Sequence, residues 1–344
     1  MIKIRNILNN ILLRRVLYSI LVLIGLSMLI FTLARLLPGD PARLALGPRA
    51  PEEVVQKYRE MLHLDKPIYI QYFYWLNDVF HLSLGQSLVT FRDVSDDIAE
   101  FLPATIELIL LAGIILVIGA FILGVISGRK PGSIVDNFMR MFAYIGISIP
   151  AFVWAIIFQL IFAYWFNIFP AVGRISDNIT PPPRITGLMT VDSMLSGNIL
   201  AFIDSIKHLI LPALALAIGP IAQDARILRA NLVENIGKDY VLNLKSHGIS
   251  ERIIYFKYAL KPSMIPVITV MGLDIASLIG NAFLVEVIFN WPGLSRYGIT
   301  AMLRKDLNAI VGVTLVVGVV FIIANLIVDL IIYSLDPRIK YRER

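Results

Sequence analysis

The hydrophobic positions of this chain are gathered into long uncharged runs and do not alternate with polar positions. Four runs lack any charged side chain and reach the roughly 20 residues needed to cross the hydrocarbon core of a bilayer. They are Val16–Ala34, Leu108–Ser127, Met141–Phe166 and Ala309–Val328. Two weaker candidates are Leu209–Gln223, which is short and contains two prolines, and Pro262–Val285, which contains Asp274. The pattern predicts an all-α polytopic membrane protein with about six transmembrane helices.

The remaining stretches divide the chain into segments. Residues 1–15 carry apolar side chains at helical spacing and predict an amphipathic helix on the cytoplasmic surface. The first span covers 16–36, and the polar segment 37–100 is too long for an ordinary connection, so it predicts an extracytoplasmic cap. The transmembrane core is then 101–335, with an extracytoplasmic segment 167–205 and a cytoplasmic loop 232–262, and 336–344 is a basic tail.

Two helices are predicted within the cap segment. Pro51 followed by Glu52 and Glu53 is a helix start, because proline fits the first turn and acidic side chains face the positive end of the helix dipole. Ile68–Phe80 is an aromatic-rich helix, either a belt at the membrane interface or a surface for a partner. Segment 167–205 contains TPPPR and predicts an irregular flap, and Pro181 disfavours use of the glycosylation sequon at Asn178.

Charge distribution indicates the orientation. Basic residues precede the first span, follow the second at Arg129 and Lys130, and cluster in the tail. The positive-inside rule therefore predicts that both termini are cytoplasmic. The net charge of +6 fits this topology better than nucleic-acid binding, because a mean hydropathy of +0.76 leaves no compact basic soluble domain. The chain has 0 cysteines, which excludes disulfides and cysteine-ligated metals.

Enzymatic motifs are missing from the sequence. It contains no phosphate-binding G-x-x-x-x-G-K-[ST] loop, no H-E-x-x-H and no G-x-S-x-G, and its 4 histidines lack metal-ligand spacing. Four acidic residues fall near membrane depth, where each needs water or a partner: Glu107, Asp274, Glu286 and Asp329. Glu286 and Asp329 lie near helix ends, which favours local capping or ion pairing.

Asp274 lies well inside its candidate span. It stands beside a ladder of small residues, Gly272, Ala276 and Gly280, of the kind that lets two membrane helices approach closely. We therefore predict that Asp274 faces a translocation path or a subunit interface, with Glu286 as a further candidate at the end of the same span. Gly124 and Gly128 form a similar contact signature in the second span.

A basic amphipathic segment interrupts the apolar pattern at Tyr240–Ile268. Asp239 can cap a first helix that Gly248 ends, and Ser250 can cap a second helix that stops at Pro262. In the second helix Ile249, Ile253, Phe256 and Leu260 predict a narrow apolar stripe flanked by Arg252 and Lys257. Such a ridge suits insertion into a groove of another protein, although an interfacial loop that contacts only lipid is the alternative.

This segment resembles the coupling loop of ABC-transporter permeases, and further stretches extend the resemblance over nearly the whole chain. These are LLPGDPARLALGP at Leu36–Pro48, LDKPIYIQYFYWL at Leu64–Leu76, LGQSL at Leu84–Leu88, LPATIEL at Leu102–Leu108, SIPAFV at Ser148–Val153, LVEVIFNWPGLSRYGITAMLRKD at Leu284–Asp306 and NLIVDLIIYSLDPRIK at Asn325–Lys340. Together they are similar to permeases of the dipeptide/oligopeptide importer family. Two departures are bulkier side chains before Gly248 and an acidic residue at Asp274, where relatives more often carry a neutral one.

The resemblance implies a type I importer permease fold in the plasma membrane and a transport subunit that is not itself an enzyme. It implies a second permease, two P-loop ATPases that bind ATP and magnesium, and an extracytoplasmic solute-binding protein. The cargo implied is a di- or oligopeptide, with oligosaccharides or nickel as alternatives within the family. The coupling residues implied are Tyr240, Lys245, His247, Gly248, Ile249, Ser250, Arg252, Ile253 and Phe256. A different mechanism, an ion-coupled secondary transporter that uses Asp274, would need no ATPase.

Overall fold

The computed structural model describes residues 2–36, 41–47, 49–61 and 63–335. The predicted basic tail and part of Leu36–Pro48 lie outside these ranges. The described residues form fourteen α-helices and two π-helical stretches, and their only β-pairing is an isolated bridge between Gln86 and Asp93. In chain order the helices are α1 Ile2–Leu36, α2 Pro41–Leu46, α3 Glu52–Met61, α4 Ile68–Phe80, α5 Val94–Arg129, α6 Ile134–Ser148, α7 Ala151–Phe158, α8 Met189–Leu195, α9 Ile199–Ile236, α10 Asp239–Ser246, α11 Glu251–Ile253, α12 Leu260–Ile288, α13 Leu294–Arg304 and α14 Leu307–Leu335.

Five helical stretches in the described residues are long and apolar enough to cross a membrane, and a bent pair can supply a sixth. The prediction of about six spans is confirmed. Helix α1 is continuous from Ile2 to Leu36, so no break separates the predicted N-terminal helix from the first span. The stretches are Arg15–Leu33, Val94–Arg129, Ile199–Ile236, Glu251–Ile288 and Leu307–Ile332.

The predicted span Met141–Phe166 is wrong as a single straight helix. Helices α6 and α7 meet at Pro150, and α7 continues as a π-helical stretch, Gln159–Trp165. The two arms are bent by 109°. Ile149 before the proline has φ −98° and ψ 122°, as expected because proline disfavours helical backbone in the residue that precedes it.

Two further predicted helix ends are wrong, one of them at a proline. Helix α9 extends well beyond Leu209–Gln223 and contains both Pro212 and Pro220. Likewise the helix that begins at Glu251 passes through Pro262 and continues to Ile288, with a π-helical stretch at Ile254–Ala259. Prolines are tolerated inside membrane helices because neighbouring groups and local π adjustments satisfy the freed carbonyls.

One compact unit of the chain comprises Met1–Leu102 and Tyr297–Ile322. In this unit the predicted aromatic helix α4 packs against α1. The ring of Phe31 lies 5.4 Å from that of Tyr72 and 5.3 Å from that of Trp75, and the hydroxyls of Ser27 and Tyr72 are 2.8 Å apart. The buried face of α4 thus serves internal packing, while Phe73 and Phe80 stay exposed.

The other unit comprises Pro103–Arg296 and Ile323–Arg344. Helix α9 is its centre and packs against α6, α7, α8 and α12. Helix α5 also lies close to α9, since a Cβ on Gly124 would stand 2.8 Å from the side chain of Leu228 and one on Gly128 would stand 3.1 Å from that of Leu232. The contact predicted from Gly124 and Gly128 is therefore present.

The segment predicted as an irregular flap is partly helical. Residues 166–188 are irregular, but α8 follows and α9 already begins at Ile199. Asp192 holds the irregular part in place: its carboxylate accepts hydrogen bonds from the backbone N–H groups of Thr186 at 2.7 Å and Gly187 at 2.9 Å. The flap is thus an ordered connection.

Candidate functional site

The first half of the predicted coupling segment is a helix closed by a glycine. Helix α10 ends at Ser246, and Gly248 has φ +73°, a left-handed conformation that favours glycine. The N–H of Gly248 donates to the carbonyl of Lys245 at 3.0 Å, and the N–H of Ile249 donates to the carbonyl of Leu244 at 3.2 Å. This pair of bonds is a Schellman motif and gives the segment a defined turn.

The predicted caps differ in detail from the observed ones. Asp239 is the first residue of α10, and Lys238 occupies the N-cap position. Ser250 does occupy the N-cap position of α11, but its side chain makes no capping hydrogen bond. Instead the Ser250 carbonyl accepts from the N–H groups of Ile253 and Ile254, each at 3.0 Å.

The helix continues past Pro262, and the carbonyl of Tyr258 accepts a hydrogen bond from a side chain outside the helix. Proline has no N–H to donate to the carbonyl of Tyr258, four residues earlier. The hydroxyl of Tyr240 donates to that carbonyl at 3.3 Å. This bond links α10 to the start of the long helix, so the two halves of the segment are connected by a side chain as well as by the turn.

The outer surface of the segment is apolar with basic neighbours. Ile253 and Phe256 are 47% and 50% exposed, and both line an open depression. Three basic residues line it too: Arg252, Lys257 and Lys261. The predicted stripe is shorter than expected because Ile249 is half-buried and Leu260 is buried in the core.

Polar bonds join the segment to the membrane helices. The hydroxyl of Tyr255 donates to the carbonyl of Val125 in α5 at 2.6 Å. The side-chain amide of Asn235, near the end of α9, donates to the hydroxyl of Ser263 at 2.9 Å. A displacement of this segment would therefore act on α5, α9 and α12 together.

The small-residue ladder of α12 is only partly a contact surface. A Cβ on Gly272 would overlap the side chain of Val328 in α14, so the two helices touch there. Ala276 is buried, but no atom lies within 4 Å of a Cβ placed on Gly280. Close packing within the chain holds at Gly272 and Ala276, whereas Gly280 faces open space, so its predicted place at a translocation path or subunit interface stays a prediction.

Asp274 lies beside a second carboxyl group. The side-chain amide of Gln223 on α9 is 3.4 Å from a carboxylate oxygen of Asp274. Asp224, the next residue on α9, is fully buried. Sequence reasoning missed Asp224 because the predicted span ended one residue before it; the signal was a carboxyl group in the run IAQDA.

Glu286 lies in a closed hydrogen-bond network at the end of α12. Its carboxylate accepts from the hydroxyl of Thr105 at 2.5 Å and from the N–H of Arg296 at 2.9 Å. The side chain is fully buried, and a Cβ on Gly293 would overlap its carboxylate. These contacts favour the local capping role predicted from its position over a place in the translocation path.

Glu107 pairs with a residue from the irregular connection. Its carboxylate forms an ion pair with Arg174 and accepts from the hydroxyl of Thr190 at 2.6 Å. The guanidinium of Arg174 also lies 5.4 Å from the ring of Trp291. Glu107 thus fastens this connection to α5.

Comparisons with known proteins agree with the fold. Residues 120–341 match the family described as binding-protein-dependent transport system inner membrane component, and residues 8–109 match the corresponding N-terminal family. The chain is 39% identical to the dipeptide transport system permease protein DppB of Alkalihalophilus pseudofirmus, with 95% of this chain and 98% of the relative covered.

Two Escherichia coli K12 proteins are similar over most of their length. The probable D,D-dipeptide transport system permease protein DdpB is 36% identical, with 93% of this chain and 94% of the relative covered. The dipeptide transport system permease protein DppB is 34% identical, with 96% and 98% covered. With its all-helical, multi-span fold, the chain belongs to the family of binding-protein-dependent transport system inner membrane components, the permease subunits of ABC importers.

Proposed function

We propose that this permease imports di- or oligopeptides across the plasma membrane. The three relatives described above, at 34–39% identity over almost all of the chain, carry dipeptide or D,D-dipeptide transport in their names. The absence of a phosphate-binding loop from the sequence means that the energy comes from elsewhere. In this proposal two partner ATPases bind ATP and magnesium, a second permease completes the pathway, and a solute-binding protein delivers the peptide.

The observation that carries the coupling role is the exposed pair Ile253 and Phe256 on a helix that is continuous with a membrane span. Two apolar side chains of this size bury well in a groove, and the basic residues around them would meet acidic side chains at its rim. We call Ile253 and Phe256 the ridge. A force on the ridge would be transmitted directly along α12, because no loop lies between the ridge and that helix. The nine coupling residues named above supply the ridge, the turn and its polar surroundings.

In this proposal, alternating access uses the connection between the segment and the membrane helices. Closure of the two ATPases on ATP would push the segment as a rigid body, and the bonds of Tyr255 and Asn235 would carry that movement to α5 and α9. In this proposal the Gly248 turn and both termini lie in the cytoplasm, and the connection 166–198 lies on the other side of the membrane.

Site-specific crosslinking tests the docking surface, because a chain with 0 cysteines accepts a single reporter cysteine. A photoreactive maleimide on Phe256→Cys should crosslink a P-loop ATPase in native membranes. The same reagent on Phe91→Cys, which is 79% exposed and predicted to be extracytoplasmic, is the control and should not. Equal yields at both positions, or no ATPase adduct at Phe256→Cys, would refute docking at this ridge.

A further inference from the structure

The residues Asp224 and Asp274 form a pair of carboxyl groups between two membrane helices. Asp224 lies on α9 and Asp274 on α12, two helices that pack against each other. The side-chain amide of Gln223, the residue next to Asp224, is 3.4 Å from a carboxylate oxygen of Asp274, which brings the two carboxyl groups to the same level of the helix pair. Neither carboxyl oxygen of Asp224 accepts a hydrogen bond from a donor group among the described residues. Two ionised carboxylates cannot donate a hydrogen bond to each other, so an ionised pair would leave Asp224 buried and unsatisfied.

Asp224 is fully buried in an apolar part of the helix packing, and Asp274 beside it is half-buried. On α9 the buried residues one turn away are Ile221 and Leu228, and on α12 the corresponding residue is Met271. Leu116 and Ala120 of α5 belong to the same cluster. A carboxylate without a partner is costly in such a place.

In the part of the chain that the structure describes, no ion pair joins a basic side chain to Asp224 or Asp274. Residues 108–127 of α5 contain no charged side chain. On α9, Arg226 is exposed and Arg229 forms an ion pair with Asp136 of α6. On α14, Asp329 follows the Val328 that packs on Gly272; it is acidic and has an interaction of its own. Gln223 supplies the neutral amide contact to Asp274.

We propose that Asp224 and Asp274 together bind one proton. One carboxyl is then an acid that donates an O–H···O bond to the other, which remains a carboxylate. A single proton gives the buried oxygens a hydrogen bond and removes one of two facing negative charges. The bond joins α9 to α12 about 20 Å along the helix from Leu260, at a rise of 1.5 Å per residue. This proton site is additional to the proposed peptide transport and does not depend on it.

Infrared spectroscopy of the full-length protein in lipid bilayers at neutral pH measures the proton directly. We expect the wild-type spectrum to contain the C=O stretching band of one protonated aspartate that is lost in Asp274→Asn and also in Asp224→Asn. In each variant the amide can donate to the remaining carboxylate, so no proton is needed. Asp329→Asn is the matched control on α14 and should keep the band, as a difference spectrum against wild type shows.

A second measurement keeps the test independent of a folding defect in one variant. Raising the pH should remove the shared proton, leave two facing anions and lower the midpoint of thermal unfolding of the wild type. In Asp274→Asn the midpoint should fall less as the pH is raised. Unchanged carboxyl spectra in both variants would overturn the proposal. A second result would also overturn it: the C=O band is absent from the wild type, and its midpoint of thermal unfolding is higher in sodium than in choline at the same ionic strength. The pair would then bind a metal cation and not a proton.

Discussion

At the scale of single residues, close helix contacts depend on what each glycine faces. Gly272 faces Val328, whereas Gly280 in the same helix faces open space. The sequence pattern predicts the ladder but cannot tell which of its members touches a neighbour, because small residues look alike on every face of a helix.

The different surroundings of Gly272 and Gly280 allow two matched substitutions to be compared. Gly272→Ala should lower the free energy of unfolding by about 1–3 kcal/mol, because the new methyl group overlaps a stiff β-branched side chain. Gly280→Ala should be neutral or raise it by up to about 1 kcal/mol, since alanine is the better helix former. Denaturant unfolding of both variants in the same detergent measures the two effects. A similar loss in both variants would contradict the observed α12–α14 contact.

Asp192 predicts a pH dependence in the connection between α7 and α9. Burial alone would raise the pKa of Asp192, but hydrogen bonds from the Thr186 hydroxyl and from the backbone N–H groups of Thr186, Ile185 and Gly187 outweigh it and lower the pKa below its usual range. Because the folded pKa is depressed, the stabilisation is present above the ordinary aspartate pKa of about 4 and is lost as the pH falls through the folded value.

Amide hydrogen exchange checks this expectation. Protection of the N–H groups of Thr186 and Gly187, corrected for intrinsic rates, should fall as the medium is acidified, and Asp192→Asn should show reduced protection at neutral pH. Asp177→Asn, an exposed position in the same connection, is the control and should behave as wild type. Protection that does not change with pH would show that the carboxylate does not hold this connection.

At the scale of elements, Pro150 and Pro262 were the sources of error in prediction, while Pro212 and Pro220 lie inside a span as predicted. Pro150 coincides with a bend of 109°, whereas Pro212, Pro220 and Pro262 lie inside continuous helices. The rule that a proline ends a helix holds where nothing compensates the freed carbonyl. At Pro262 the hydroxyl of Tyr240 does so from another helix, a tertiary contact that the local sequence does not contain.

The continuity of the helix through Lys261 leads to a prediction about coupling. One alanine inserted between Lys261 and Pro262 should rotate the ridge residues by about 100° relative to α12, given 3.6 residues per turn. Under the proposed mechanism, peptide uptake should fall by at least about tenfold, corresponding to about 1.4 kcal/mol of lost coupling, while the chain still inserts. Uptake and ATP hydrolysis in proteoliposomes give the measurement.

An alanine inserted between Asp65 and Lys66, which are exposed in a turn, is the control for a change in chain length. It should leave uptake close to wild type. Wild-type uptake after the insertion at Lys261 would mean that the ridge and α12 do not move as one body.

At the scale of the whole molecule, the hydropathy pattern predicts the class of fold and the approximate number of spans. Long apolar runs are enough for this, because backbone groups in a membrane must be satisfied within helices. The pairing of Asp224 with Asp274 and the network around Glu286 were not predictable, since they join residues separated by 50 and by 181 positions. The turn at Gly248 was predictable because a glycine between two short amphipathic helices is a local signal.

Topology can be tested with the same cysteine-free background. In intact cells a membrane-impermeant maleimide should label Asp177→Cys and leave His247→Cys unlabelled, because the single span α9 separates these two exposed positions. Inverted vesicles should give the opposite pattern. Labelling of His247→Cys from outside would reverse the proposed orientation.

The central claim is that the chain acts as one subunit of an ATP-driven importer. Affinity purification of the tagged chain from its native membrane in mild detergent, with mass spectrometry of the proteins that accompany it, tests this most directly. The account predicts that P-loop ATPases, a second multi-span permease and a solute-binding protein come with it. A chain that is recovered alone, and that moves solute in liposomes without ATP, would contradict the account.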